Sequence, residues 1–145
     1  MKKRKSGRYV RLKVFNPAGY RSVNKQRIRT LVRNVLLGEK AHFGDLHVII
    51  VDDAYITDLN KEFFKKRGPT NVISFDLGDV GEVYVSCGRL RDSDDLYYYI
   101  VHGLLHLVGY VHDSPQQEKV MHEKCMKYLH IPARKPLPRS ARGAK

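Results

Sequence analysis

The chain has 145 residues, 42% of them hydrophobic, and a formal net charge of +12. That size suits one domain with a modest core, and its apolar residues fall in separated periodic runs, which argues against wholesale disorder. No apolar run approaches the roughly 20 residues that span a bilayer, and Cys87 and Cys125 are too few for a disulfide framework, so both read as reduced cytosolic thiols.

Residues 1–8 carry Lys2, Lys3, Arg4, Lys5 and Arg8 with no acid. No apolar stretch follows them, so they read as a basic arm and not as a secretory signal. Residues 9–15 alternate apolar and polar, the pattern of a strand, and Asn16-Pro17-Ala18-Gly19 breaks it. Apolar residues from Val23 to Leu37 recur at helical spacing, and Gly38 is expected to end that helix. Leu46 to Val51 reads as a buried strand, and a short helix runs from about Ala54 to Lys65. Arg67-Gly68-Pro69 is a turn, Val72 to Phe75 a third strand, Gly78-Asp79 a turn, and Glu82 to Ser86 a fourth strand. Ser93 or Asp94 caps a strongly apolar helix to about Val108, with Gly109 placed as its left-handed C-cap. Ser114, Pro115 and Gln117 open the last helix as N-cap, N1 and N3, and it runs to about Leu129 with His130 just beyond. The segment 131–145 carries five basic residues, no acid and three prolines, and reads as a mobile tail.

Four strands and four to five helices predict a single α+β domain over 9–130, with a small mixed four-stranded sheet and a metal site on a central helix. Between 9 and 130 there are 17 basic and 15 acidic residues, so the body is nearly neutral and the charge sits in the two arms. Such arms attract polyanions, nucleic acid first, through counterion release, although basic tails also serve solubility alone.

The stretch that carries chemistry is His102 to Asp113. His102 and His106 are four apart on a predicted helix, which sets both imidazoles on one face. Gly109 lets the chain reverse, so His112 can return over that face. Three neutral nitrogens match the ligand set of a catalytic zinc-like site, whereas a lone histidine on an apolar face is more often a packed core residue. His42, His47, His122 and His130 lack this arrangement and read as packing or surface residues. The site is not the zinc-protease motif HExxH, because Gly103 stands where the general-base Glu would be. Asp113 is a candidate base or a support for His112, and equally a turn cap. Glu118 and Glu123 read as solvated.

These residues resemble the YbeY family of bacterial rRNA maturation factors, whose hallmark reads H-G-x-L-H-L-x-G-Y-D-H. His102 to His112 match it except that Val111 replaces Asp. Leu59-Asn60 and Pro69 to Phe75 resemble the family's L-N and P-T-[DN]-V-L-S-F blocks at the same separation. Gly81 to Ser86 is similar to its G-D-I-x-I-S strand, and Asp95 stands where the family often has Glu. The resemblance covers roughly residues 46–126. It implies an α+β fold, one Zn(II) on His102, His106 and His112, and single-strand-specific endoribonuclease activity. It also implies a role at the 3′ end of small-subunit (16S) rRNA and in ribosome quality control, while the reduced thiols make the cytoplasm the expected location. The family usually has an Arg four residues after the Asn of L-N, where Phe64 stands here; Lys65, Lys66 or Arg67 are the candidate replacements for holding phosphate, and Arg67 also reads as a solvated turn residue. Thr70 and Ser74 fall in a block expected to border the cleft. The expected partners are rRNA and the small ribosomal subunit, with no membrane, no DNA and a monomeric chain. The competing readings are a non-catalytic assembly factor with a structural ion and a metallohydrolase of another substrate.

Overall fold

A computed structural model describes residues 10–130, so the basic arm 1–8 and the tail 131–145 lie outside the described residues. Alternation along the strands sorts the side chains onto two faces. β1 (Arg11–Phe15) and β2 (Asp45–Val51) pair in parallel, as do β2 and β4 (Val80–Ser86), while β3 (Val72–Asp76) lies antiparallel on β4. The order β1-β2-β4-β3 makes the sheet mixed and leaves β3 at one edge.

One face receives three helices. Leu46, Val48, Ile50, Val83 and Val85 are buried there against Ile28, Leu31, Val32, Val35 and Leu36 of α1 (Lys25–Glu39), against α3 (Ser93–Leu107), and against Met121, Cys125 and Tyr128 of α4 (Pro115–Leu129). α3 is the central helix: it packs on α1, α4, β3 and β4 and buries nine of its residues. α2 (Asp53–Phe64) lies on the other face, over a small second core of Val51, Ile56 and Ile73. The α+β fold with a mixed four-stranded sheet is therefore as expected, with four α-helices and a short 3-10 turn at Cys87–Arg89 that the sequence pattern did not reveal.

Several boundaries shift by one or two residues, β4 starting at Val80 and α1 at Lys25, and two of the differences have clear physical reasons. Gly38 does not end α1; the helix continues to Glu39, and Lys40 takes the left-handed cap at φ 55°, its N–H reaching Leu36 O and Leu37 O. Gly38 is small because a Cβ there would come within 2.8 Å of Tyr128 Cε1. The N-cap of α3 is Asp92, whose carboxylate accepts from Asp95 N, and not Ser93 or Asp94. That register buries Asp95, which takes Nε and Nη2 of Arg91 at 2.9 Å each.

The start of α4 agrees with its sequence signature. Ser114 Oγ accepts from Gln117 N, and Gln117 Oε1 accepts from Ser114 N, a complete capping box. Ser114→Ala is expected to lower stability by about 1 kcal/mol, read as a lower thermal midpoint, with little effect if the helix start were held by packing alone.

Candidate metal centre

The site begins with a helix that stops in a defined way. α3 ends at Leu107, Gly109 adopts φ +110°, and its N–H donates to His106 O while Tyr110 N–H donates to Leu105 O. This is the paired bonding of a Schellman motif, and it turns the chain back on the helix end. His112 is thereby carried to His102 and His106. The ligating nitrogens of the three rings all lie within 4.8 Å of one another. Ring centroids are 4.8 Å apart for His102 and His106, 5.2 Å for His102 and His112, and 4.9 Å for His106 and His112.

The protonation pattern suits cation binding. His106 Nδ1 lies 2.9 Å from Tyr110 O, and a carbonyl only accepts, so Nδ1 carries the hydrogen and Nε2 presents its lone pair. His102 Nε2 is 3.2 Å from that Nε2. Two nitrogens held tetrahedrally at about 2.0–2.1 Å from one zinc would be about 3.3 Å apart. Burial, helped by the nearby His106 and His112, pushes the His102 imidazolium down to about 4. Burial also lowers His106, against the opposing bond to Tyr110. Both rings are thus neutral near pH 7, the form that ligates. Among the described residues no fourth His, Cys, Asp or Glu joins the cluster, and three protein ligands is the number typical of catalytic zinc sites. The three imidazoles therefore fit a transition-metal ion.

Gly103 explains why no general-base Glu follows His102. A Cβ at 103 would meet Val83 Cγ1 at 2.5 Å, Val72 Cγ2 at 3.0 Å and Ser74 Oγ at 3.1 Å. The helix lies directly on β3 and β4 at that point, and Ser74 Oγ donates to Gly103 O at 2.8 Å. Gly103→Ala is expected to destabilise the fold by about 1–3 kcal/mol through overpacking, with His102 displaced and metal affinity reduced together with the melting temperature.

The other candidate residues are more dispersed. Asp113 is exposed; its backbone N–H donates to Gln117 Oε1, and its charge favours protonation of His106. Lys66 and Arg67 are exposed in the loop after α2, and Thr70 is half-buried further along it. Among the described residues, no hydrogen bond or ring contact joins Lys66, Arg67 or Thr70 to the histidines. Phe64 stacks on Phe75, with centroids 6.0 Å apart and planes at 22°.

Two supports of the site go beyond the sequence reading, which had Gln117 only as N3 of the last helix and did not single out Glu39. Gln117 Oε1 accepts from Asp113 N and Ser114 N, which ties the residues after His112 to α4. Glu39 Oε1 accepts from Tyr110 OH at 2.8 Å, and its Oε2 accepts from Lys124 Nζ at 3.0 Å and from Tyr128 OH. A signal for Glu39 existed: it is the only acid in α1 and sits in the last turn, where the helix dipole disfavours it. Such a residue needs a partner from elsewhere.

With this geometry in place, comparison with known proteins adds the family. The family model described as Endoribonuclease YbeY matches residues 13–131. This chain belongs to the YbeY family. A YbeY relative described as an endoribonuclease from Petrotoga mobilis is 32% identical over 137 residues, covering 83% of this chain and 94% of that one. Another from Flavobacterium psychrophilum is 34% identical over 116 residues, covering 69% and 83%. A solution structure of a Thermotoga maritima protein shares the fold, with a TM-score of 0.51 and 23% identity, over 84% of this chain and 87% of that one. The YbeY hallmark segment falls on the end of α3 and the turn after it, where the three rings meet.

Proposed function

We infer that the protein is a metal-dependent endoribonuclease that cuts single-stranded RNA, acting in the cytoplasm on the 3′ region of small-subunit rRNA and so in ribosome maturation and quality control. One observation carries the chemistry: three imidazole donors within 4.8 Å of one another at the end of the central helix. Membership of a family described as endoribonucleases supports the substrate class, and among the described residues no helix is long and apolar enough to cross a membrane.

In this reading His102, His106 and His112 would hold one ion, and zinc suits a set of three imidazole ligands. When bound, the ion supplies Lewis acidity toward water and phosphate oxygen. The chain's own residues do the rest. The His106 Nδ1–H bond to Tyr110 O keeps the ring's tautomer and orientation fixed. Asp113, next to His112 and exposed, is the carboxylate available to accept a proton from the attacking water. Lys66 and Arg67 offer cations to the RNA backbone, with Thr70 nearby in the same loop. Ser74 has its hydroxyl hydrogen committed to Gly103 O, so it serves by holding α3 against β3.

A non-catalytic assembly role is favoured by one feature, Phe64 at the position where the family usually has a cation. The deciding experiment compares one RNA sequence as a single strand and as a duplex, with metal-loaded and chelated protein. Cleavage of the single strand alone, lost on chelation, is expected. Equal cutting of both forms, or cutting that survives chelation, overturns the reading.

A further inference from the structure

The sheet face opposite α3 carries only part of the cover that the other face has. α2 shields Val51, Ile56 and Ile73, and a line of aromatic rings runs outward from that small core. Tyr55 stacks on Tyr84, centroids 6.1 Å apart and planes at 18°. Tyr84 meets Phe75 edge-on at 5.8 Å, and Phe75 meets Phe63 at 5.2 Å and Phe64 at 6.0 Å. Five rings thus form one continuous array. Tyr55, Phe63 and Phe64 are nevertheless 49%, 54% and 45% exposed. A contiguous exposed apolar array of this kind marks an interaction site.

The charge beside it indicates the partner. Lys65 follows Phe64 in a left-handed turn, and Lys66 and Arg67 continue the run, all exposed. Lys61 is exposed in the last turn of α2, and Glu62 is the only acid from 61 to 67. Among the described residues none of these four cations forms an ion pair. Lysine is depleted from protein–protein interface cores. Open π faces beside unpaired cations instead match a single-stranded polynucleotide, whose bases stack and whose phosphates seek positive charge.

We propose that Phe63 and Phe64, backed by Phe75 and flanked by Lys65, Lys66 and Arg67, form a base-stacking platform for single-stranded RNA. Ile73 and Phe75 alternate with Ser74, which faces Gly103 of α3, so the platform lies on the side of the sheet away from the metal-bearing helix. This rests on the reading of RNA as substrate, and it makes the aromatic residue at 64 a binding group that acts by stacking.

The test is equilibrium binding of a labelled single-stranded RNA of about 12 nucleotides to the full chain, by fluorescence anisotropy in chelator, where cleavage plays no part. The double variant Phe63→Ala/Phe64→Ala is expected to bind about tenfold more weakly with an unchanged salt dependence. The triple variant Lys65→Gln/Lys66→Gln/Arg67→Gln is expected to flatten the slope of log K against log salt by about 2. A strand of the same length without bases should bind the wild type no better than the base-bearing strand binds the double aromatic variant. Both variants change exposed side chains, and because Phe63 and Phe64 also touch Phe75, the fold is verified by a melting temperature well above the assay temperature. Equal affinity of the wild type and the aromatic variant, or equal affinity for strands with and without bases, overturns the platform and leaves this face to a protein partner. A wild type that cuts RNA with metal but shows such indifference refutes the platform alone; one that neither binds nor cuts RNA refutes the substrate reading as well.

Discussion

His106→Ala is expected to leave a folded protein that no longer retains a transition metal through purification and cuts RNA at the background rate. The ring sits at the middle of the cluster: its Nε2 is 3.2 Å from His102 Nε2, its centroid is 4.9 Å from that of His112, and its Nδ1 is anchored on Tyr110 O. Removing an outer support of a metal site typically costs about 10–100-fold in affinity or activity, and loss of a direct ligand should exceed that. His106 is half-exposed at the helix end, and the helix is held by Leu104, Leu105 and Leu107 on its buried side. The melting temperature of the metal-free variant should therefore stay close to that of metal-free wild type. Elemental analysis and a cleavage assay on the same two samples check this. A His106→Ala protein with one ion per chain and normal cutting would remove the cluster from the mechanism.

Glu39→Ala has the largest expected effect on stability. The carboxylate is 10% exposed and accepts from Tyr110, Lys124 and Tyr128, so one side chain joins α1, α4 and the turn that returns His112. Its loss strands two hydroxyls and an ammonium, at a cost of about 3 kcal/mol, or roughly a 10 °C fall in melting temperature. Because Tyr110 also supplies the carbonyl that holds His106, metal affinity should fall by about 10–100-fold. Glu39→Gln keeps the acceptor oxygen and should recover part of both losses. Burial pushes the Glu39 carboxyl up, but the bonds from Tyr128, Lys124 and Tyr110 outweigh it and hold it below its ordinary 4.5. The charged form is thus favoured on folding. Its stabilisation is complete above pH 4.5 and is lost as pH falls through the folded value. The gap in unfolding free energy between wild type and Glu39→Gln should be constant near neutrality and narrow in acid. A gap that widens in acid would show that the carboxylate is not favoured by folding.

Most of the architecture was legible because it rests on local signals. Strand alternation, the helical spacing from Ile28 to Leu36, and the Ser114-Pro115-Gln117 start each state their own structure. The metal cluster was legible for the same reason: its three ligands span eleven residues, and the helix stop at Gly109 lies between them. What stayed hidden depends on partners distant in sequence. Gly38 looks like a helix stop until Tyr128 is seen beside it. Ser93 and Asp94 are as good caps as Asp92 by residue type, and burial of Asp95 decides the register. Glu39 meets Tyr110, Lys124 and Tyr128 across 71 to 89 residues of sequence. The aromatic array joins Tyr55, Phe63, Phe64, Phe75 and Tyr84 through strand pairing, and no single window of sequence shows it.

That the three rings belong to one helix end and the turn after it bears on how a cation arrives. The Schellman bonds and the Gln117 clamp join protein atoms only, so the chain path that brings the three rings together is fixed by the polypeptide's own hydrogen bonds. Metal-loaded and chelated protein should therefore show nearly the same hydrogen-exchange protection in the sheet. His112 is exposed and His102 and His106 are half-buried, so the cluster is open to solvent and an ion can reach it without the protein unfolding.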